Sequence, residues 1–158
     1  ALARPDRTVI VVDGDGSIRM NLGELETITT HGIDVKVLLL NNQGDGMVRQ
    51  WQRLMFGERF SGTDKTMHTK DFLELARSDG FPLAERVAEP SALEAALRRF
   101  VAHRGPAFLE VHIDPDALVM PMVGPGQGYQ DMIVGDFIRP RAATQEAPVS
   151  GETEADLF

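Results

Sequence analysis

Two segments, Gly14-Asp15-Gly16-Ser17 and Asn41-Asn42-Gln43-Gly44-Asp45-Gly46, combine hard oxygen donors with glycine. Asp15 offers a carboxylate and Asn42 a neutral amide oxygen. The loop after Asn42 can turn a backbone carbonyl inward. One carboxylate among neutral oxygens is a poor all-protein cage for calcium. It suits magnesium that keeps positions for water and phosphate oxygens. Gly14 and Gly16 let the backbone approach a ligand closely, and a helix opening after Ser17 would aim free N–H groups at an anion. Together these donors describe a magnesium–diphosphate site. Each motif alone is equally an Asp/Gly or Asn/Gly turn after a strand, and on the residues alone both readings stay open.

Other binding patterns fit less well. Gly14-x-Gly16 would open a dinucleotide fingerprint, but Arg19 stands where its third glycine belongs. A phosphate loop of the Gly-Lys-Ser/Thr type is missing. Asp13, Asp15, Ser17 and Glu24 fall at EF-hand ligand spacing, yet Ile18 replaces the required glycine and an apolar strand replaces the entering helix. His31, His68, His103 and His112 are scattered without helical zinc spacing and read as surface or strand-end residues. With no cysteine, thiolate nucleophiles, disulfide frameworks and Cys–zinc sites are excluded. That composition suits a reducing, cytoplasmic setting.

The two segments would have to end neighbouring strands. Thr8–Val12 is a continuous β-branched run, which predicts a strand buried on both faces. Asp13–Ser17 reads as a tight turn, and Leu22, Leu25, Ile28 and Thr29 recur at helical spacing up to Gly32. Asp34–Leu40 predicts a second buried strand. The interval from Asp15 to Asn42 matches one βαβ unit, so both strand ends should lie together. Residues 47–54 can form a short helix before an irregular stretch to about His68. Thr69 can cap a helix over 70–78, 83–88 is a strand candidate, 91–102 an amphipathic helix, and 107–113 a last strand. Leu93, Ala96, Leu97, Phe100 and Val101 give that helix its apolar side. This alternation predicts an α/β fold, a parallel sheet sandwiched between two helical layers, with ligands beyond the carboxyl ends of the strands.

Length and charge bound the rest. At 158 residues the chain suggests one domain, which we place at 1–140, and no run is long and apolar enough to span a membrane. Acids outnumber bases 24 to 16, for a net charge of −8, which argues against non-specific nucleic-acid binding. Ala1-Leu2-Ala3 before Arg4-Pro5 reads as the last turn of a helix, as though the chain were truncated at its N-terminus. Residues 141–158, polar and acidic, read as a mobile tail. Residues 121–128 read as a loop.

The pairing of GDGS with NN resembles the diphosphate-binding signature of thiamine-diphosphate enzymes. Asn41-Asn-Gln-Gly-Asp-Gly-Met-Val-Arg-Gln-Trp-Gln52 narrows the likeness to the large catalytic subunit of acetolactate synthases, as do residues 70–76, 105–111 and 119–123. The resemblance implies a thiamine-diphosphate-binding fold with cofactor positions Gly14, Asp15, Gly16, Ser17, Asn42, Gly44, Gly46 and Met47. Magnesium would be held by the side chains of Asp15 and Asn42 and the backbone oxygen of Gly44. Met47 and Trp51 would line the substrate pocket, and residues after 121 would lead to an arm over it. The family reaction, part of branched-chain amino acid biosynthesis, decarboxylates pyruvate and joins the product to a second 2-oxo acid. The activating glutamate would come from a pyrimidine-binding domain, and FAD, where used, from a middle domain. Neither domain has a counterpart here, so no catalytic residue is assigned in this chain. Those domains, a homodimer or larger assembly and a regulatory subunit are the implied partners, with no nucleic acid and no membrane. Two alternatives are half of a split thiamine-diphosphate-dependent 2-oxo acid decarboxylase and a non-catalytic flavodoxin-like nucleotide or flavin module.

Overall fold

The computed structural model describes residues 1–135; the expected tail at 141–158 lies outside them. The chain separates into two compact units, Ala1–Val119 and a second beginning at Met120.

In the first unit four strands form one parallel sheet in the order β1-β2-β4-β3. They are β1 (Val9–Gly14), β2 (Val35–Asn41), β3 (Leu83–Val87) and β4 (Ala107–His112). The helices are α1 (Asp15–Ile18), α2 (Gly23–Thr30), α3 (Gly46–Met55), α4 (Phe72–Ser78) and α5 (Pro90–Ala102). Strand alternation sorts the core into two layers. Val37, Leu39 and Phe108 pack with Ile18, Leu25, Phe72, Ala76 and Phe81 from the side of α1, α2 and α4. Leu38, Leu40, Leu109 and Val111 pack with Ala96 and Phe100 of α5 on the opposite side. The sheet is therefore the middle of three layers, as the α/β alternation predicts.

Four local expectations need correction. β1 is not buried on both faces: Ile10, Val11 and Val12 are 44%, 44% and 60% exposed. Among the described residues it is the edge of the sheet, with β2 as its neighbour, so a β-branched run that reads as central is covered less than a central strand. The segment after β1 is not a tight turn with a helix opening beyond Ser17. The strand runs to Gly14 and one helical turn starts at Asp15. Residues 1–7 form turns rather than a helix end, closed by Arg4 N–H to the Ala1 carbonyl and Arg7 N–H to the Arg4 carbonyl, both 3.1 Å. The cap of α4 is Asp71, whose carboxylate accepts from the Glu74 N–H at 3.0 Å, so the helix begins after it rather than after Thr69. Aspartate and threonine both suit that position, and only the backbone path chooses between them.

In the second unit, residues 121–128 form no helix or strand beyond a bridge between Met122 and Ile133, and a 3-10 turn spans Tyr129–Asp131.

Candidate functional site

The register of β1 against β2 pairs Gly14 with Leu40. The loops that follow therefore leave the sheet side by side at its carboxyl end, as the βαβ interval requires. They line a cleft of ≈ 570 Å³ that includes Gly14, Gly16, Ser17, Asn42, Gly44 and Gly46. Met47 and Val48, more than half exposed at the start of α3, add an apolar wall. Met47 is thus not a core residue. Trp51, one turn further along, is half-buried and does not line this cleft.

Asp15 lies beneath the loops. It is 1% exposed, and among the described residues neither carboxylate oxygen has a hydrogen-bond partner. It lines a small polar chamber with Arg19, Asn41, Gln43, Lys65 and His68. Burial pushes its carboxyl above the ordinary carboxylate range. The backbone N–H groups of Asn42 and of Asp15 itself, neither in hydrogen-bond geometry, and the Arg19 guanidinium pull the other way, while Asp45 adds to the rise. A buried acid whose oxygens have no hydrogen-bond partner among the described residues calls for a proton or a cation. No three His, Cys, Asp or Glu side chains converge among the described residues. A cation here would take one carboxylate and complete its shell with neutral oxygens.

The neutral donors are held in place locally. The Asn42 side-chain oxygen accepts from the Gly44 N–H at 3.2 Å. Gly44 is bridged to Asp64 across an antiparallel contact, with Asp45 N–H donating to the Thr63 carbonyl at 3.0 Å and Lys65 N–H to the Gln43 carbonyl at 2.8 Å. A Cβ on Gly44 would meet the Thr63 carbonyl oxygen at 2.8 Å, and one on Gly46 the Asn42 amide nitrogen at 2.5 Å. These glycines are close-approach positions, with no positive φ to account for them. The Ser17 hydroxyl donates to Asp13, which also accepts from the Gly14 N–H at 2.8 Å. That bond orients the serine at the cleft wall.

Residues beyond the two motifs brace this arrangement. Asn41 donates to Glu110 at 2.7 Å and accepts from the Gln43 N–H at 2.9 Å, fixing the first step of the loop. Glu110, 1% exposed, is joined by Arg86 at 2.7 Å, and Arg86 reaches Asp71 at 2.6 Å. That guanidinium, followed by the Glu74 N–H, holds the Asp71 carboxyl below its usual range. Gln50, 2% exposed, grips both backbone groups of Val119, at 2.9 and 2.7 Å, and so holds Leu118 and Val119 along the cleft. Arg53 pairs with Asp116, and Arg49 stacks 4.1 Å from the Phe60 ring centre. Composition alone does not single these residues out. The one available signal is Glu110, a lone acid inside the apolar run Ala107–Ile113. Elsewhere, a groove of ≈ 800 Å³ follows Leu93, Leu97 and Val101 on α5, but its charged residues Glu94 and Arg98 pair with each other.

The family described as "Thiamine pyrophosphate enzyme, C-terminal TPP binding domain" matches residues 1–111. The chain is 41% identical over 132 residues to the mitochondrial acetolactate synthase catalytic subunit of Saccharomyces cerevisiae, covering 84% of this chain and 19% of that protein. It is 42% identical over 132 residues to the large subunit of acetolactate synthase isozyme 2 of Escherichia coli, covering 84% and 24%. Among solved structures, a thiamine diphosphate-dependent 4-hydroxybenzoylformate decarboxylase from Rhodococcus jostii superposes with a TM-score of 0.63 at 29% identity, over 72% of this chain and 21% of that one. Benzoylformate decarboxylase from Polynucleobacter necessarius, at 18% identity, shares the fold with a TM-score of 0.66 over 75% of this chain and 22% of that one. The chain thus spans 19% to 24% of the length of these proteins. With the matched span running from the first residue into β4 and enclosing both glycine-rich loops, the chain belongs to the family of C-terminal thiamine-pyrophosphate-binding domains of thiamine pyrophosphate enzymes.

Proposed function

We propose that this chain holds the diphosphate of thiamine diphosphate through Mg²⁺ as part of an acetolactate synthase-like transferase. Asp15 would supply the anionic ligand, with the Asn42 side chain and the Gly44 carbonyl as neutral ligands. Gly16 and Ser17 would contact the diphosphate, with Gly14 and Gly46 leaving room beside it. Met47 would pack against the cofactor and substrate, and Trp51, one turn further along α3, would influence the choice of acceptor. The observation that carries this reading is the buried Asp15 carboxylate beneath the Asn42 loop, without a hydrogen-bond partner among the described residues.

Bound thiamine diphosphate supplies the electron sink for decarboxylating a 2-oxo acid and for passing the acyl group to a second one. The described residues' share is to bind and orient. Glu110 and Asn41 hold the second loop, Asp13 aims the Ser17 hydroxyl, and Val12, Met47 and Val48 present apolar surface to the cleft. The reaction itself, the activating glutamate, any FAD, the assembly and any regulatory subunit belong to the longer protein with its pyrimidine-binding and middle domains. Alone, this chain should bind weakly and turn nothing over. No described helix is long and apolar enough to cross a membrane.

The test is calorimetric titration with thiamine diphosphate, with and without Mg²⁺, beside FMN. Magnesium-dependent binding of thiamine diphosphate that Asp15→Ala abolishes is expected. FMN binding that survives Asp15→Ala would instead identify a flavodoxin-like module. Carboligation against decarboxylation alone, assayed with the missing domains supplied, separates the synthase from a split decarboxylase.

A further inference from the structure

We propose that the Lys65–Asp45 ion pair sets the balance between cation and diphosphate affinity in this site, an inference that rests on the magnesium–diphosphate reading above. Asp45 sits between Asn42 and α3. Its Oδ1 leans against Gly16, in the space a Cβ there would fill. Its other oxygen is held by Lys65 Nζ at 2.8 Å. Asp45 lines the open cleft, whereas Lys65 lines the small chamber around Asp15. One member of the pair therefore faces each compartment.

The charges have opposite consequences. A bare carboxylate against Gly16 attracts a divalent cation and repels a diphosphate; a bare ammonium in the chamber that Asp15 also lines does the reverse. Paired, they largely cancel, so the loop can admit both ligands. The side chains are 33% and 19% exposed, so solvent limits each effect to several-fold. The backbone contacts of both residues, Asp45 N–H to Thr63 and Lys65 N–H to Gln43, do not depend on the side chains. Substitution should leave the loop's course unchanged. Asp45 and Lys65 are positioning residues in this account, with no contact to reacting atoms.

Two titrations on the 158-residue chain test this: Mn²⁺ alone, followed by its electron paramagnetic resonance signal, and thiamine diphosphate at saturating Mg²⁺. Asp45→Asn should weaken Mn²⁺ binding about threefold to tenfold and tighten thiamine diphosphate by a similar factor. Lys65→Met should do the opposite on both counts, and Lys65→Arg should leave both unchanged. The double variant Asp45→Asn/Lys65→Met should return both affinities close to those of the unsubstituted chain. It also serves if a single variant fails to fold. A structural brace would weaken both ligands in both single variants, and that result, or no change in either, overturns the proposal while leaving the magnesium–diphosphate reading intact. If the unsubstituted chain binds neither Mn²⁺ nor thiamine diphosphate, both fall together.

Discussion

Replacing Asp15 with asparagine changes the charge of one buried group and little of its shape. In the metal-free chain the carboxylate is 1% exposed and both its oxygens lack hydrogen-bond partners among the described residues. Keeping it ionised there costs more than keeping a neutral amide. A difference of about 1–2 kcal/mol follows from the penalty of an unsatisfied buried charge. Asp15→Asn should therefore stabilise the metal-free chain by that amount and raise its Tm by about 2–8 °C. With Mg²⁺ and thiamine diphosphate the order reverses. Ligand at a hundred times its Kd stabilises by about 2.7 kcal/mol, and the variant should lose that gain. Differential scanning calorimetry of both proteins, with and without the two ligands, reads all four numbers. A variant less stable than the parent in metal-free buffer would show that Asp15 is a structural carboxylate. A retained magnesium-dependent shift would show that it is no ligand.

The same residue predicts a pH dependence. Its raised folded-state value means the native chain binds more protons than the unfolded one above the ordinary carboxylate range, so metal-free stability should fall as pH rises through that value. Asp15→Asn should flatten this slope in denaturant melts. Asp71, held low chiefly by Arg86, works oppositely: its contribution is present above the ordinary carboxylate range and lost as pH falls through its lowered value. Asp71→Ala should remove that acid limb and, through the lost helix cap, about 0.5–2 kcal/mol by urea unfolding. Glu110→Leu should cost about 1–3 kcal/mol, because it leaves the buried Asn41 amide without its acceptor and takes one of two carboxylate partners from Arg86; an unchanged urea midpoint would count against that network. Gly44→Ala should cost about 1–3 kcal/mol, since its Cβ collides with a backbone carbonyl that cannot rotate away. The same calorimetry should show weakened magnesium binding.

Much of this protein is local and so is readable from composition and period. β-branched runs, helical spacing and the glycines that end each element follow from sterics within a few residues. From them come the strand–helix alternation, the parallel sheet and the meeting of the Asp15 and Asn42 loops. Three things needed the tertiary structure. β1 carries the same residue types as a central strand, and only the sheet order shows it to be an edge. The resemblance puts Met47 and Trp51 together at the substrate pocket, yet of the two only Met47 lines the cleft. The braces Glu110–Asn41, Gln50–Val119 and Lys65–Asp45 join residues far apart in the chain or across a loop without periodicity. Propensity acts between near neighbours along the backbone. Burial, and the pairing of polar groups that burial enforces, depends on which segments the fold brings together.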